Sequence, residues 1–315
     1  MARVIPIRFC VCLLLAGCGG AGAEPELVFG KRGVQGGEFV KPRAIAIDKD
    51  DRIFIVDYTA RIQAFDRQGK FLGISFTTPD YRNGRPSGLG IGRDGNLLVC
   101  DSHYNCLRIY TPEGKPVRVL GGKLGTEPGQ LGYVSDVVQD QAGNFYLSEF
   151  GETERISKFD EAGKFLQCWG GPGSEPGQFA HIRALALGPD GLLYVADACN
   201  HRIQVFTLEG KLVRRWGTSG SGPGELQYPY DLAFAPGTEA ILYVVEYGNH
   251  RVQKFTTEGQ SLGVWGGPGR TPGRLASPWA LAVDSRGKVF VLDSENDRVQ
   301  RLGGDRFVIG PDDAG

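Results

Sequence analysis

Short apolar runs, each ending in an acid, recur along the chain. They read RIFIVD to Asp57, NLLVCD to Asp101, NFYLSE to Glu149, LLYVAD to Asp197, ILYVVE to Glu246 and KVFVLD to Asp293, spaced 44 to 49 residues apart. A second run follows each acid: RIQAF from Arg61, CLRIY from Cys106, RISKF from Arg155, RIQVF from Arg202, RVQKF from Arg251 and RVQRL from Arg298. A glycine turn such as DRQGK or DEAGK comes next, then a third run such as FLGISF or LVRRW. Each unit opens on a run such as PRAIAID or PWALAVD. The period is that of strands, not of helices, and each unit holds four of them, A to D. Four antiparallel strands repeated every 40–50 residues or so predict propeller blades. The expected fold class is therefore all-β, a six-bladed β-propeller with four-stranded antiparallel blades.

The motifs P-x-x-[IL]-A-[IV]-D, Y-V-x-D and N-H-R-[IV]-Q-x-F resemble the NHL repeat family over residues 26–302. That resemblance implies six blades, matching the six acids. The sixth unit lacks an ordinary fourth strand, and the missing piece stands at the other terminus. Leu27-Val28-Phe29-Gly30 and the following KRGVQGGEF align without a gap on VRRWGTSGSGPGEL, so Phe29 takes the place of Trp216 and Phe39 that of Leu226. The last blade is thus expected to be closed by the N-terminal strand, which removes an open sheet edge. The competing candidate is Phe307-Val308-Ile309.

The first residues change where this fold would sit. Arg3 and Arg8 precede an apolar run from Phe9 to Leu15, too short to span a bilayer. It ends in Leu15-Ala16-Gly17-Cys18, which resembles the lipobox of bacterial lipoproteins, whose Cys is acylated. The alternative is an ordinary signal peptide cut near Ala23, with Cys18 lost. The expected organisation is a signal peptide over 1–17, a tether over 18–25, the propeller over 26–310 and a tail over 311–315. Lipidation at Cys18 would anchor the chain in the cell envelope. Gly19 follows Cys18 where an Asp often retains lipoproteins at the inner membrane, so the outer membrane is expected where two membranes exist.

Composition and charge narrow the partners. Glycine contributes 48 of 315 residues, as turn-rich strands require. Without Arg3 and Arg8, 33 of the 35 basic residues remain against 36 acidic ones, near −3. That balance gives no electrostatic case for nucleic acid, although some eukaryotic NHL propellers bind RNA.

In a four-stranded blade the B–C and D–A connections share one face of the disc. Here those connections are long and varied (GGKLGTEPGQLGY, TTPDYRNGR), whereas the A–B and C–D turns are short and uniform. Varied loops on a rigid scaffold make the first face the expected binding face. The repeated acids and the arginines after them belong to that face as repeated ion pairs or turn caps, rather than as a cation-binding ring. Variation between units is more informative. The first residues of the A strands are Arg43, Ser87, Ser135, Arg183, Tyr230 and Trp279, expected at the channel rim. Asp136 and Asp231 follow where other units carry Ala or Gly. These eight residues form the candidate ligand site, suited to a small polar or anionic group.

The NHL resemblance also raises a zinc enzyme, the peptidyl-α-hydroxyglycine α-amidating lyase. Its Asp-x-x-x-His pattern matches Asp197 to His201, and nearly matches Glu246 to His250. Its other histidine positions, just after the strand-A proline, are Ser87, Tyr230 and Trp279 here. A three-His zinc site is therefore not expected. His103 and His181 are isolated. No metal, no cofactor and no catalytic residue is assigned.

Beyond the leader the cysteines are Cys100, Cys106, Cys168 and Cys199. Cys100 and Cys106 fall in one hairpin, and a disulfide between them is the expectation for an exported protein. Cys168 and Cys199, in neighbouring blades, form a second candidate pair or are small core fillers. The function expected is a cell-envelope lipoprotein module that binds an unknown envelope protein, peptide or glycan and meets the membrane only through its lipid. The alternative is a hydrolase or lyase with its site at the channel rim.

Overall fold

The computed structural model describes residues 23–79, 85–237 and 239–308. The leader and Cys18 lie outside these residues. Strand β1 is Leu27–Phe29. Blade one holds β2 (Pro42–Ile47), β3 (Ile53–Asp57), β4 (Arg61–Phe65) and β5 (Phe71–Thr77). Blade two holds β6 (Pro86–Ile91), β7 (Leu97–Asp101), β8 (Cys106–Tyr110) and β9 (Pro116–Gly121). Blade three holds β10 (Tyr133–Gln139), β11 (Phe145–Phe150), β12 (Arg155–Phe159) and β13 (Phe165–Gly170). Blade four holds β14 (Ile182–Leu187), β15 (Leu193–Asp197), β16 (Arg202–Phe206) and β17 (Leu212–Trp216). Blade five holds β18 (Pro229–Phe234), β19 (Leu242–Glu246), β20 (Arg251–Phe255) and β21 (Ser261–Gly266). Blade six holds β22 (Leu281–Val283), β23 (Val289–Asp293) and β24 (Arg298–Leu302), with β1 as its fourth strand. The fold is the expected six-bladed β-propeller with four-stranded antiparallel blades. No described helix is long and apolar enough to cross a membrane.

The core lies between blades. Phe54, Val56 and Ile62 of blade one pack with Leu89, Leu97 and Val99 of blade two. Phe39, Ile45 and Phe65 pack in the same way with Phe290, Leu292 and Val299 of blade six. Burying one such phenylalanine contributes roughly 1.5–3 kcal/mol.

Closure follows the sequence alignment. Leu27 pairs with Arg301, Val28 with Gln300 and Phe29 with Val299, all antiparallel. Phe29 then seats on the turn glycine of the next blade. A Cβ at Gly69 would come 2.3 Å from the Phe29 ring, and one at Gly259 would come 2.4 Å from Trp216. Both glycines have positive φ, so the turn also needs glycine for its backbone. The terminal run goes elsewhere. Val308 bridges Val264 on the outer edge of blade five, and Phe307 packs on Tyr243. It covers a neighbouring edge and does not replace β1. Ile309 lies outside the described residues.

The repeated acids act as blade junctions. Arg202 Nε lies 2.7 Å from Asp197, Arg298 Nε 2.6 Å from Asp293, and Arg155 Nε 3.0 Å from Glu149. Arg61 and Arg251 pair in the same way with Asp57 and Glu246. Each arginine also donates to carbonyls of the linker entering its own blade, as Arg202 does to Ser174, Glu175 and Gln178. Acid, arginine and linker are thereby locked together, with the carboxylates of Asp197 and Asp293 fully buried.

Blade two departs from this pattern, and with it goes the expected disulfide. Its entering linker is of the TTPDYRNGR type, and Cys106 stands where the other blades carry the arginine. Arg108, two residues on, takes over the pairing with Asp101 at 2.6 Å. Cys100 pairs across the hairpin with Leu107, while Cys106 pairs with Asp101. Adjacent strand positions point to opposite faces, so the two sulfurs lie on opposite sides of the sheet. Both thiols are free and buried. Cys168 and Cys199 are also free, and both are exposed.

Candidate functional site

Backbone irregularity builds the rim. The A–B pairing slips between Pro42 and Ala44, Pro86 and Gly88, Val134 and Asp136, Ile182 and Ala184, and Pro229 and Asp231. The residue skipped in each case is Arg43, Ser87, Ser135, Arg183 or Tyr230. A bulge bends its strand and re-aims a side chain. Together with Trp279 these residues line one cavity of about 340 Å³ at the channel, with Asp136 and Asp231 in its wall. All eight predicted site residues therefore meet in one place.

The serines serve the scaffold. Ser87 Oγ donates to the carbonyls of Val134 and Ser135 in blade three, and Ser135 Oγ to that of Ile182 in blade four. The aspartates also join blades. Leu185 N donates to Asp136 at 2.9 Å, and Leu281 N to Asp231 at 3.0 Å. Burial raises the Asp136 carboxyl to about 7. Burial, with Asp136 nearby, holds Asp231 well above the usual carboxylate range.

The cations are arranged differently. The Arg43 guanidinium carbon lies 4.9 Å from the Trp279 ring centre, and that of Arg183 lies 5.1 Å away. Arg183 is also 4.7 Å from the Tyr230 ring centre. Tyr230 stacks on Tyr247 at 4.6 Å and meets Trp279 edge-on at 5.4 Å. Arg183 is only 7% exposed. Its Nε, Arg43 Nε and Trp279 Nε1 are buried with no hydrogen-bond partner among the described residues. Burial, then the charges of Arg183 and Arg85, lowers Arg43 to about 10. Burial lowers Arg183 as well. The mouth thus gathers positive charge and unmet donors. Trp169 and Trp216 also have orphan indole nitrogens, but they pack on turn glycines at the outer rim.

Three rim residues escape a reading of strand starts alone. Arg85 stacks on Tyr58 with its guanidinium carbon 3.6 Å from the ring centre. Tyr58 and Tyr247 directly follow the strand-B acids Asp57 and Glu246. That position is aromatic in blades one, three and five (Tyr58, Phe150, Tyr247) and small in the others (Ser102, Ala198, Ser294). This alternation was the available signal. Farther out, His103, Tyr133, Phe150 and His181 run in a chain of ring contacts of 4.9 to 5.7 Å. Tyr58, Tyr133 and Tyr228 are 42%, 39% and 37% exposed, so the face carries an aromatic belt.

The histidines of the repeat do not suit a zinc site. His201 Nδ1 accepts the Tyr228 N–H at 3.1 Å, and His250 Nδ1 that of Ser277 at 2.8 Å. Both residues are left-handed, with φ of 53°. Asp297 in the equivalent place likewise accepts the Lys41 N–H of blade one, whereas Asn105 donates to the Gly132 carbonyl at the entry to blade three. Among the described residues no three His, Cys, Asp or Glu side chains converge as metal ligands.

Fold and site together define a closed six-bladed propeller with a cationic, aromatic channel mouth. The NHL repeat model matches residues 179–206 and 275–302, which take in the first three strands of blades four and six. The chain is an NHL-repeat β-propeller. It is similar to the protein brain tumor of Drosophila melanogaster, 28% identical over 148 residues, which is 45% of this chain and 14% of that protein. Among solved structures it is similar to virginiamycin B lyase from Staphylococcus aureus, with a TM-score of 0.60 and 15% identity over 92% of this chain and 97% of that one. It is also similar to the gluconolactonase XC5397 from Xanthomonas campestris, with a TM-score of 0.62 and 14% identity over 84% and 86%. At such identities these likenesses show the fold alone.

Proposed function

We propose that this chain is an exported, lipid-anchored recognition module of the cell envelope, which binds a protein or peptide on its varied-loop face. The observation that carries the reading is the aromatic belt around a cationic channel mouth. Tyrosine, tryptophan and arginine are the residues on which interface energy concentrates. The anchor part rests on Arg3, Arg8, the run from Phe9 to Leu15 and the tetrapeptide ending at Cys18. Mass spectrometry of the mature N-terminus tests it. The reading expects acyl chains on Cys18 and their loss in Cys18→Ala. An unmodified N-terminus near Ala23 would overturn the anchor and leave the recognition face untouched.

A second reading is a hydrolase or lyase at the same rim. The elevated carboxyls of Asp136 and Asp231 favour it, because paired acids with shifted protonation mark many catalytic sites. Each of them, however, accepts a main-chain N–H from the next blade, and interblade pinning accounts for their burial. Asp136→Asn separates the two readings. Binding with Asn at 136 as in the parent supports recognition, and loss of a measured turnover with binding intact supports the enzyme.

A further inference from the structure

The channel mouth holds donors without acceptors. Arg43 and Arg183 flank one indole, and neither guanidinium has a hydrogen bond or an ion pair among the described residues. Five other arginines at the blade junctions, such as Arg202, are fully engaged by a carboxylate and by linker carbonyls. A buried charge left unpaired is costly. Arg183 is buried and Arg43 half-buried, and their unpartnered Nε atoms beside an orphan indole N–H call for an anionic acceptor from outside the chain.

We propose that the mouth binds the free carboxylate of a peptide, at its chain end or on an acidic side chain, between Arg43 and Arg183 and against Trp279. This rests on the recognition reading above and names its chemistry. Guanidinium forks match planar carboxylates in a bidentate manner. The cavity of about 340 Å³ lies near the lower end of ligand-site volumes, so it admits one residue and not a folded partner. Below the mouth the wall is apolar, with Ala44, Leu89 and Leu232. The rim hydroxyls of Ser87 and Ser135 are already committed between blades, which leaves little to recognise sugar hydroxyls. The high-lying Asp136 and Asp231 carboxyls reduce the negative charge that an incoming anion meets.

The test titrates the full chain, purified in detergent, by calorimetry. N-acetylalanine represents a chain end and N-acetylglutamic acid α-amide an acidic side chain. Their neutral amides are the controls, and glucuronate and inorganic phosphate are the competing anions. The expected result is saturable binding of at least one peptide acid, at least tenfold tighter than its amide. Arg43→Gln with Arg183→Gln weakens it at least tenfold, and Trp279→Phe retains part of it. The acid–amide contrast on the parent stands even if the double variant fails to fold. Equal binding of acid and amide, no saturation by either acid, or tighter binding of glucuronate or phosphate overturns the proposal. Such a failure, with a protein partner still captured from envelope extract, would leave the recognition face standing.

Discussion

Arg183 of blade four and Trp279 of blade six meet at the channel mouth, the guanidinium carbon 5.1 Å from the ring centre. No regular strand would bring them together. The bulge at Arg183 turns its side chain inward, and Trp279 stands two residues before β22, its N–H donating to the Leu292 carbonyl. The position re-aimed in blades one to five differs from blade to blade, as Arg43, Ser87, Ser135, Arg183 and Tyr230.

The blade junctions should dominate stability. Arg202 is 6% exposed and Asp197 fully buried at the side chain. Arg202→Ala leaves that carboxylate without its counter-charge and is expected to cost about 3–5 kcal/mol. Urea unfolding measures this. A loss below about 1 kcal/mol would mean that the pair behaves as an exposed one.

Closure should depend on β1 and not on the terminal run. Phe29 packs on Phe39 and Phe65 with ring centres 6.5 and 5.5 Å away. Phe29→Ala is expected to cost roughly 2–4 kcal/mol, within the range for truncating a large apolar side chain. Removing residues 307–315 takes away the Val308–Val264 bridge and the Phe307–Tyr243 contact and should cost less. Thermal unfolding of the two variants gives the order, and the reverse order would refute this closure.

Asp136 should make stability fall as pH rises. Its folded carboxyl lies near 7, above its ordinary 3.8. The folded state therefore holds this proton more tightly than the unfolded state does. The associated stability is complete below about 3.8 and is lost as pH climbs to about 7. Burial raises it, the Leu185 and Val137 N–H groups and the Arg183 charge oppose that, and Asp136 in turn raises Asp231 and Cys100. Asp136→Asn keeps an acceptor for Leu185 N and removes the charge. Its melting temperature should exceed the parent's at pH 8 and approach it at pH 4. An Asn variant less stable at pH 8 would contradict the sign.

The four thiols of the described residues should divide by exposure. A maleimide on the native chain should label Cys168 and Cys199, and label Cys100 and Cys106 only after unfolding. Reduction should leave the labelling of Cys100 and Cys106 unchanged. A gain in reactivity at those two on reduction would restore the disulfide that the hairpin register rules out.

The blades were legible because each repeats an acid-ended strand and a glycine turn, and five of the six carry an arginine four to six residues after the acid. The closing strand was legible because Phe29 and Gly30 copy Trp216 and Gly217. Five rim residues could be named because a bulge at one fixed repeat position sends each toward the channel, and Trp279, Asp136 and Asp231 because they stand at or next to that position. Arg85, Tyr58 and Tyr247 were not found, since they come from the neighbouring ends of strands A and B and meet only in three dimensions. The Cys100–Cys106 expectation failed on register. Proximity in a hairpin is read from spacing, but the face of the sheet depends on which residue pairs with which.

The central claim is that recognition runs through the channel mouth. The direct measurement is capture from envelope extract by the parent chain, beside a folded variant carrying Arg43→Ala, Arg183→Ala and Trp279→Ala. The account predicts a partner retained by the parent and lost by the variant, with matching circular dichroism for the two. Equal capture by both would move the site to the outer loops. Capture of no protein, with a small molecule co-purifying, would contradict the recognition module and favour the enzyme.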